Sequence, residues 1–167
     1  VLGQQVLKLA VQQAQQWLRC GRPQVVSVNV SPSQFTDPGF AAGVLATLEA
    51  CNLPSRWLSI EITESIAMSD FESTARRLKL LREAGVKVSI DDFGIGFSNL
   101  SQLSRLPIDQ LKIDRSLTQD IGRNSKSEAI IRAIVGMAQA LEFRTLAEGI
   151  ETQDQLDFLG DIGCDAV

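Results

Sequence analysis

A regular alternation of strand and helix patterns constrains the fold of this chain more than any other feature. Apolar runs rich in β-branched residues predict strands at 24–31, 57–65, 86–92, 110–114 and 144–151, with the start of another at 163–167. Apolar residues spaced three and four positions apart predict helices at 1–20, 38–51, 70–84, 98–106, 126–141 and 152–161. Repeated strand–helix units of this kind build a parallel sheet with helices against it.

The fold class that follows is α/β, with the strands forming part of a barrel. A complete (β/α)8 barrel of the TIM class needs about 250 residues, whereas about six βα units fit here. The chain has 167 residues, and it opens inside a helix and stops inside a strand. We therefore expect residues 1–167 to be one domain, and an incomplete barrel that lacks strands at both ends.

The composition excludes several classes of site. The chain contains no histidine, which rules out Ser-His-Asp and Cys-His catalysis and histidine-ligated zinc or iron within it. The net charge of −4 argues against a DNA-binding surface, which needs a basic face. Cys20, Cys51 and Cys164 are too few and too scattered for a disulfide framework. No secretory signal or membrane span is visible, and we expect a cytoplasmic protein with reduced thiols.

Polar side chains occur at the end of each predicted strand. Two adjacent aspartates, Asp91 and Asp92, follow the apolar run that ends at Ile90. Since the carboxyl ends of parallel strands share one face of a barrel, the polar residues there are expected to converge. That set comprises Asn29, Glu61, Glu64, Asp91, Asp92, Lys112, Glu148 and Glu151.

Six carboxylates around one lysine cannot all stay ionised without further positive charge. Carboxylate and amide oxygens suit Mg²⁺ or Mn²⁺, with Ca²⁺ as a non-productive occupant. Asp91 and Asp92 can serve two cations about 3.5–4 Å apart, which would clamp a phosphoryl oxygen and activate water. Lys112 would then oppose the charge that develops on the phosphorus oxygens. The sequence predicts a two-metal phosphoryl site.

Four of these residues also have a purely structural interpretation. Asp92 could cap a turn, and Glu64 could be an acidic residue at a helix start. Lys112 could extend its ammonium from a strand end into water, and Asn29 could stabilise a turn before Pro32. The coincidence of polar groups at five strand ends favours a shared site. The pattern Gly94-Ile95-Gly96 lacks a third glycine, so it does not indicate a dinucleotide-binding loop.

The chain resembles a known family in six stretches that keep the family's order over nearly the whole length. They are "VNVSP" (28–32), "EITES" (61–65), "DDFGIGFSNL" (91–100), "LKIDRS" (111–116), "AEGIET" (147–152) and "GCD" (163–165). These stretches are similar to those of the EAL domain, a bacterial phosphodiesterase that opens cyclic di-GMP to linear pGpG. The resemblance implies a modified TIM barrel with two divalent ions.

The resemblance also implies roles for individual residues. Asn29, Glu61 and Asp91 would hold one metal, while Asp91, Asp92 and Glu148 would serve the second metal and its water. Glu148 would act as general base, and Lys112 would contact the attacking water or the phosphate. These roles make Glu148, Lys112 and Asp92 the catalytic residues, and Asn29, Lys112 and Glu151 those that contact substrate. Glu64 would tether the loop after Asp92.

Two departures from the family pattern leave open whether the domain is an enzyme or a receptor. Ile95 and Phe97 stand where the family commonly has Thr and Tyr. The E-A-L segment would precede Val1, and a ligand-binding Gln would follow Val167. An inactive receptor that binds cyclic di-GMP without cutting it is therefore an alternative to the phosphodiesterase, and an enolase-like metal enzyme is a third hypothesis. Sensor or GGDEF domains in a larger protein, and a homodimer through the loop after Asp92, are the expected partners.

Overall fold

The centre of the molecule is a sheet of five parallel strands. The structure is a computed structural model that describes residues 2–95 and 100–167. The strands pair in chain order without a reversal, as β1 (Val26–Asn29), β2 (Leu58–Thr63), β3 (Lys87–Phe93), β4 (Gln110–Ile113) and β5 (Arg144–Ala147). A doubly wound sheet would reverse its order at a switch point, whereas a barrel adds each strand on the same side. The predicted barrel-type α/β fold is confirmed.

The position of a sixth strand is marked by a parallel bridge between Leu146 and Ala166. Asp165, beside this bridge, accepts hydrogen bonds from the backbone N–H and the hydroxyl of Thr145, at 2.7 Å and 2.9 Å. The predicted strand at 163–167 is therefore present as a contact along the edge of β5.

Helices alternate with the strands along the chain, beginning with a helix before β1. They are α1 (Leu2–Arg19), α2 (Pro32–Phe35), α3 (Phe40–Ala50), α4 (Glu64–Ser69), α5 (Phe71–Glu83), α6 (Leu100–Leu103), α7 (Arg115–Thr118), α8 (Ser125–Ala140) and α9 (Gln153–Asp161). A single 3₁₀ turn at Ser55–Trp57 precedes β2. Among the described residues, no helix is long and apolar enough to cross a membrane.

Three short helices at strand ends were not predicted from the sequence. Helices α2, α4 and α7 begin behind the N-cap residues Ser31, Thr63 and Asp114, whose side chains accept hydrogen bonds from backbone N–H groups of the first turn. Such caps satisfy donors that a helix start leaves without partners. The predicted strand 57–65 was therefore too long, because Thr63 ends β2 and starts α4.

Alternate residues of the strands point to two opposite faces, which differ in chemistry. The face toward the helices, here called the outer face, carries apolar side chains that are at most 5% exposed: Val28, Ile60, Ile62, Val88, Ile90, Leu111 and Ile113. Helix α1 packs on β1, α5 on β3, and α8 on β4 and β5. The opposite face, here called the inner face, carries Asn29, Ser59, Glu61, Ser89, Asp91, Gln110 and Lys112 in matching register.

Candidate active site

A β-bulge at the end of β3 explains the pair of adjacent aspartates. Ile90 pairs with Leu111 and Phe93 with Ile113, so β3 advances by three residues over a span in which β4 advances by two. The extra residue is Asp92, whose φ of 55° lies in the left-handed region that Asp and Asn tolerate best among non-glycine residues. Phe93 returns to the outer face, only 3% exposed. The bulge therefore keeps the apolar register intact while both aspartates stay at the carboxyl edge.

Lys112 joins carboxylates from three strand ends. Its Nζ lies 2.8 Å from Glu61 Oε2, 3.0 Å from Asp91 Oδ1 and 2.7 Å from Glu148 Oε1. The Lys112 and Glu61 side chains are 10% and 7% exposed, whereas that of Glu148 is 37% exposed. The structure brings these four sequence-predicted residues together at one rim. The alternative in which Lys112 extends into water is wrong, since its ammonium is enclosed by acids.

Lys112 stays positively charged although it is buried, because its acidic partners stabilise the ammonium. Burial by itself disfavours the ammonium and works to lower its pKa. Hydrogen bonds to Glu148, Glu61 and Asp91 together outweigh that effect, so the pKa of Lys112 is raised well above its ordinary value. Lys112 therefore stays protonated throughout the physiological pH range.

Asn29 lies beside this cluster on the same face. It pairs directly with Glu61 in the β1–β2 register, and paired residues on neighbouring strands point to the same side, about 5 Å apart. Asn29 is exposed, so its amide is open to solvent at the rim. An amide oxygen and a carboxylate oxygen are thus brought together at the end of β1 and β2.

The rim carries more negative charge than Lys112 can balance. The pKa of Asp92 is raised, first by burial and then by repulsion from Asp91, Asp114 and Glu148, with Lys112 acting in the opposite direction. A raised carboxyl pKa means that the folded protein resists this charge. The site is therefore chemically suited to a further cation.

The donor chemistry fits a hard divalent ion, although the carboxylates meet around an ammonium. In the described part of the chain, no three acidic or cysteine side chains lie close enough together to form a metal-binding group. The space between Glu61, Asp91 and Glu148 is instead taken by Lys112. The oxygen ligands and the excess negative charge nevertheless match the preferences of Mg²⁺ and Mn²⁺.

Besides Asn29 and Asp92, two further predicted site residues lie outside the ion-pair cluster. Glu64 is the first residue of α4 and is 6% exposed, in agreement with its interpretation as a helix-start acid. The loop that it is predicted to tether runs into residues 96–99, which lie outside the described residues. Glu151 is exposed, and its backbone N–H donates to Gln155. The roles of both residues stay predictions.

Of the two residues that depart from the family pattern, Ile95 and Phe97, the structure describes only Ile95. Ile95 is 63% exposed, directly after the bulge and Gly94. Gly94 has φ of 103°, and a side chain there would come within 2.9 Å of Leu117 and Ile134. Gly94 therefore lies in close contact with α7 and α8. Phe97 lies outside the described residues.

A hydrogen-bonded group behind Glu148 was missed by the sequence analysis. Thr118 donates its hydroxyl to the backbone carbonyl of Glu148, and Gln155 donates its side-chain N–H to the carbonyl of Thr118 at 3.2 Å. The spacing Thr152-x-x-Gln155 is a capping-box signature that was available in the sequence. The link between Gln155 and Thr118 carries no such signature, because it depends on two helices meeting in three dimensions.

A family match decides the kind of domain. The chain matches the model of the EAL domain over residues 1–167. The chain belongs to the EAL domain family. As an EAL domain it is similar to the cyclic di-GMP phosphodiesterase NbdA of Pseudomonas aeruginosa, with 42% identity over 142 residues, covering 85% of this chain and 18% of NbdA. The chain spans about a fifth of the length of the curated relatives it matches.

Solved structures of EAL proteins share this fold. The phosphodiesterase MucR of Pseudomonas aeruginosa, solved with cyclic di-GMP, has a TM-score of 0.94 and 39% identity, covering 98% of this chain and 66% of that one. BlrP1 of Klebsiella pneumoniae has been solved with cyclic di-GMP and either calcium or manganese. Each BlrP1 complex gives a TM-score of 0.84 and 32% identity, covering 97% of this chain and 41% of that one. Divalent metals are therefore present in solved complexes of one structural relative of this EAL domain.

Proposed function

We propose that this EAL domain hydrolyses cyclic di-GMP to linear pGpG with two divalent ions. The observation that carries the proposal is the contact of the Lys112 ammonium with carboxylates from the ends of three strands, all within 3.0 Å. A structural ion pair would need only one acid, whereas this rim gathers an excess of negative charge that a phosphoryl-transfer metal site requires. Relatives that are named cyclic di-GMP phosphodiesterases support the choice of substrate.

The proposed metal ligands are the oxygen donors of the inner face and the bulge. Asn29, Glu61 and Asp91 would hold one ion, and Asp91, Asp92 and Glu148 the second. The ions, Mg²⁺ or Mn²⁺, would polarise the phosphoryl oxygen and lower the pKa of a bound water, and Ca²⁺ would occupy the site without supporting turnover. The bulge at Asp92 supports this arrangement, because it lets two consecutive carboxylates serve one edge.

Lys112 and Glu148 are the proposed chemical pair. The raised pKa of Lys112 keeps its ammonium charged, so it can oppose the negative charge that develops on the phosphate oxygens in the transition state. Glu148 is the most exposed of the three acids on Lys112, at 37%. A carboxylate at the open side of the cluster can reach a water molecule and accept its proton. Glu151, exposed on the same loop, would contact the ligand.

The first experiment is Asp91→Asn in the whole protein that carries this domain. We expect conversion of cyclic di-GMP with Mn²⁺, followed by chromatography, to be abolished, because one carboxylate shared between two ions is lost. Asp161→Asn, on the exposed end of α9, is the matched control and should turn over normally. Metal-dependent turnover that survives in Asp91→Asn would refute the proposed function.

A receptor that holds cyclic di-GMP without cutting it is the second candidate. The exposed Ile95 beside the bulge favours it, because an apolar side chain there replaces a hydroxyl that could form hydrogen bonds. A binding titration with Ca²⁺ next to a turnover assay with Mn²⁺ separates the two functions. Binding without product in the wild-type protein would establish the receptor.

Further proposals concern the protein beyond this chain. We expect the site to be completed by the E-A-L segment with its metal-binding Glu, and by a ligand-binding Gln, both outside residues 1–167. Sensor or GGDEF domains would regulate the activity, and the loop after Asp92 would mediate a homodimer. A cytoplasmic location is supported by Cys20, Cys51 and Cys164, which are free thiols.

A further inference from the structure

A buried glutamine links the loop that carries Glu148 to the segment that follows Lys112. Gln155 is 6% exposed on α9. Its Oε1 accepts hydrogen bonds from the backbone N–H groups of Glu151, at 2.7 Å, and Thr152, at 3.0 Å. Its Nε2 donates to the backbone carbonyl of Thr118 at 3.2 Å. One side chain thus connects the loop after β5 with α7, the helix after β4.

Thr118 forms the second connection between the same two segments. Its side chain is fully buried, and its hydroxyl donates to the backbone carbonyl of Glu148. On the other side of Glu148, the backbone N–H donates to the carbonyl of Ile113 at 3.2 Å. The strand pairing ends there, because the chain of β4 turns into α7 at Arg115. The Thr118 hydroxyl therefore supplies a donor that the sheet no longer provides.

The loop after β5 and helix α7 are also in close contact at Gly149. Gly149, directly after Glu148, has φ of 73°. A Cβ at Gly149 would lie 2.8 Å from Cβ of Arg115 and 3.7 Å from the Thr118 hydroxyl. The backbone after Glu148 is therefore seated directly on α7.

We propose that Gln155 is a positioning residue, which holds the Glu148 backbone at a fixed distance from the strand of Lys112. The inference rests on the proposed function, since its consequence for chemistry assumes that Glu148 binds a metal or accepts a proton. Groups that orient a metal ligand from behind commonly change metal affinity or activity by about 10- to 100-fold when they are removed. Gln155 would act in this way through the loop Glu148–Thr152, without touching the substrate.

The competing explanation is that Gln155 merely starts helix α9. It is the third residue of a capping box with Thr152, and its backbone N–H donates to the Thr152 hydroxyl at 3.3 Å. Glutamate serves that position as well as glutamine, because only a side-chain oxygen is needed. Gln155→Glu therefore keeps the cap and removes the N–H that reaches Thr118. A helix-start role predicts no loss in this variant, whereas the positioning role predicts one.

The chain contains a matched control for this substitution. Ser31 and Gln34 form a second capping box at the start of α2, where Gln34 Oε1 accepts from the backbone N–H of Ser31 at 3.3 Å. Gln34→Glu makes the same chemical change at a helix that does not follow Glu148. Gln155→Met is a further test variant, which removes the amide without adding charge.

The experiment compares these variants in the whole protein. Mn²⁺ affinity is measured by the electron paramagnetic resonance signal of free Mn²⁺, and kcat and KM are measured with cyclic di-GMP. We expect Gln155→Glu and Gln155→Met to weaken Mn²⁺ binding and lower kcat at least about tenfold, with KM within about twofold of wild type. Gln34→Glu should match wild type. Thr118→Val should show a smaller loss in the same direction, and Thr118→Ser, which keeps the hydroxyl, should restore it.

Two results would overturn the positioning role. One is Mn²⁺ affinity and kcat in Gln155→Glu equal to those of Gln34→Glu, whatever Gln155→Met shows. The other is an equal loss in Thr145→Val, which removes a buried hydroxyl bonded to Asp165 at the far end of β5 and so reports general destabilisation. A wild-type protein that neither binds Mn²⁺ nor turns over would instead refute the proposed function itself, and the positioning role with it.

Discussion

The two faces of the same sheet follow different physical rules. On the outer face, Ile60, Ile90 and Ile113 are completely buried against helices and against one another. On the inner face, at the neighbouring position of each strand, Glu61, Asp91 and Lys112 are nearly as buried although their side chains are ionisable and joined by ion pairs. The outer face stabilises the fold by removing apolar area from water. The inner face must satisfy its charges internally, so its stability depends on every partner being present.

The comparison shows how a strand can serve both faces at once. A period of two assigns alternate residues to opposite sides, and this rule would send Asp92 into the apolar layer. The bulge prevents that by adding one residue, after which Phe93 regains the outer face opposite Ile113. The core and the rim are therefore specified by the same strand, with a local left-handed residue separating their registers.

The inner face should be most sensitive to the loss of its only cation in the ion-pair cluster. Lys112→Met leaves Glu61 and Asp91 buried without a counter-charge, which costs about 3–5 kcal/mol when a buried pair is broken. Urea unfolding in EDTA should show that loss, and added Mg²⁺ should recover part of it. Lys79→Met, at an exposed pair with Glu83, should change stability by less than about 0.5 kcal/mol. Equal stability of the two variants would contradict the picture of a charge-dependent inner face.

The outer face should respond to lost volume and ignore metal ions. Ile60→Ala removes three carbons from a fully buried position, which costs about 2–5 kcal/mol through lost transfer energy and a cavity. The same change at Ile130, which is 43% exposed, is the control and should cost less than about 1 kcal/mol. Urea unfolding with and without Mg²⁺ checks both. A loss at Ile60 that Mg²⁺ reverses would break the distinction between the faces.

The sequence predicted the outer face better than the geometry of the inner one. The β-branched runs located all five strands, because burial on one side leaves a repeating apolar pattern. The resemblance and the strand-end rule assigned Glu61, Asp91, Lys112 and Glu148 to one rim, and the structure brings these four together.

What the sequence did not indicate depends on contacts between distant segments. The bulge at Asp92 is visible only when β3 is aligned with β4, since no glycine marks it. The link from Gln155 to Thr118 spans 37 residues and follows no local rule. Helices α2, α4 and α7 were missed because each follows an N-cap residue that lies inside a predicted strand, and the capping side chain decides where the strand ends.

Loss of a neutral polar contact on the inner face should have a smaller effect than Lys112→Met or Ile60→Ala. Ser89 is 2% exposed, with its hydroxyl 3.3 Å from that of Ser59 and 3.2 Å from Gln110 Oε1. Ser89→Ala should lower the free energy of unfolding by about 1 kcal/mol, the net value of a typical hydrogen bond. Ser116→Ala, at an exposed position, is the control. No difference between the two in urea unfolding would mean that this polar layer adds nothing to the inner face.

The smallest expected effect has the opposite sign. Asp92→Asn removes a charge that the metal-free rim resists and keeps a residue type that tolerates φ of 55°, so it should stabilise the protein in EDTA at pH 7. Because exposed charges are screened, the gain should be only about 0.2–1 kcal/mol.

The pKa of Asp92 is raised in the folded state, so acid relieves the repulsion in wild type. The gain should therefore vanish as the pH falls below the ordinary aspartate pKa of about 3.9. With Mn²⁺ in excess the order should reverse, because only wild type keeps every proposed ligand of the second ion and so gains its full binding energy. Thermal unfolding of both proteins across pH, with EDTA or Mn²⁺, measures this, and a stabilising Asp92→Asn that persists in Mn²⁺ would remove Asp92 from the proposed ligands.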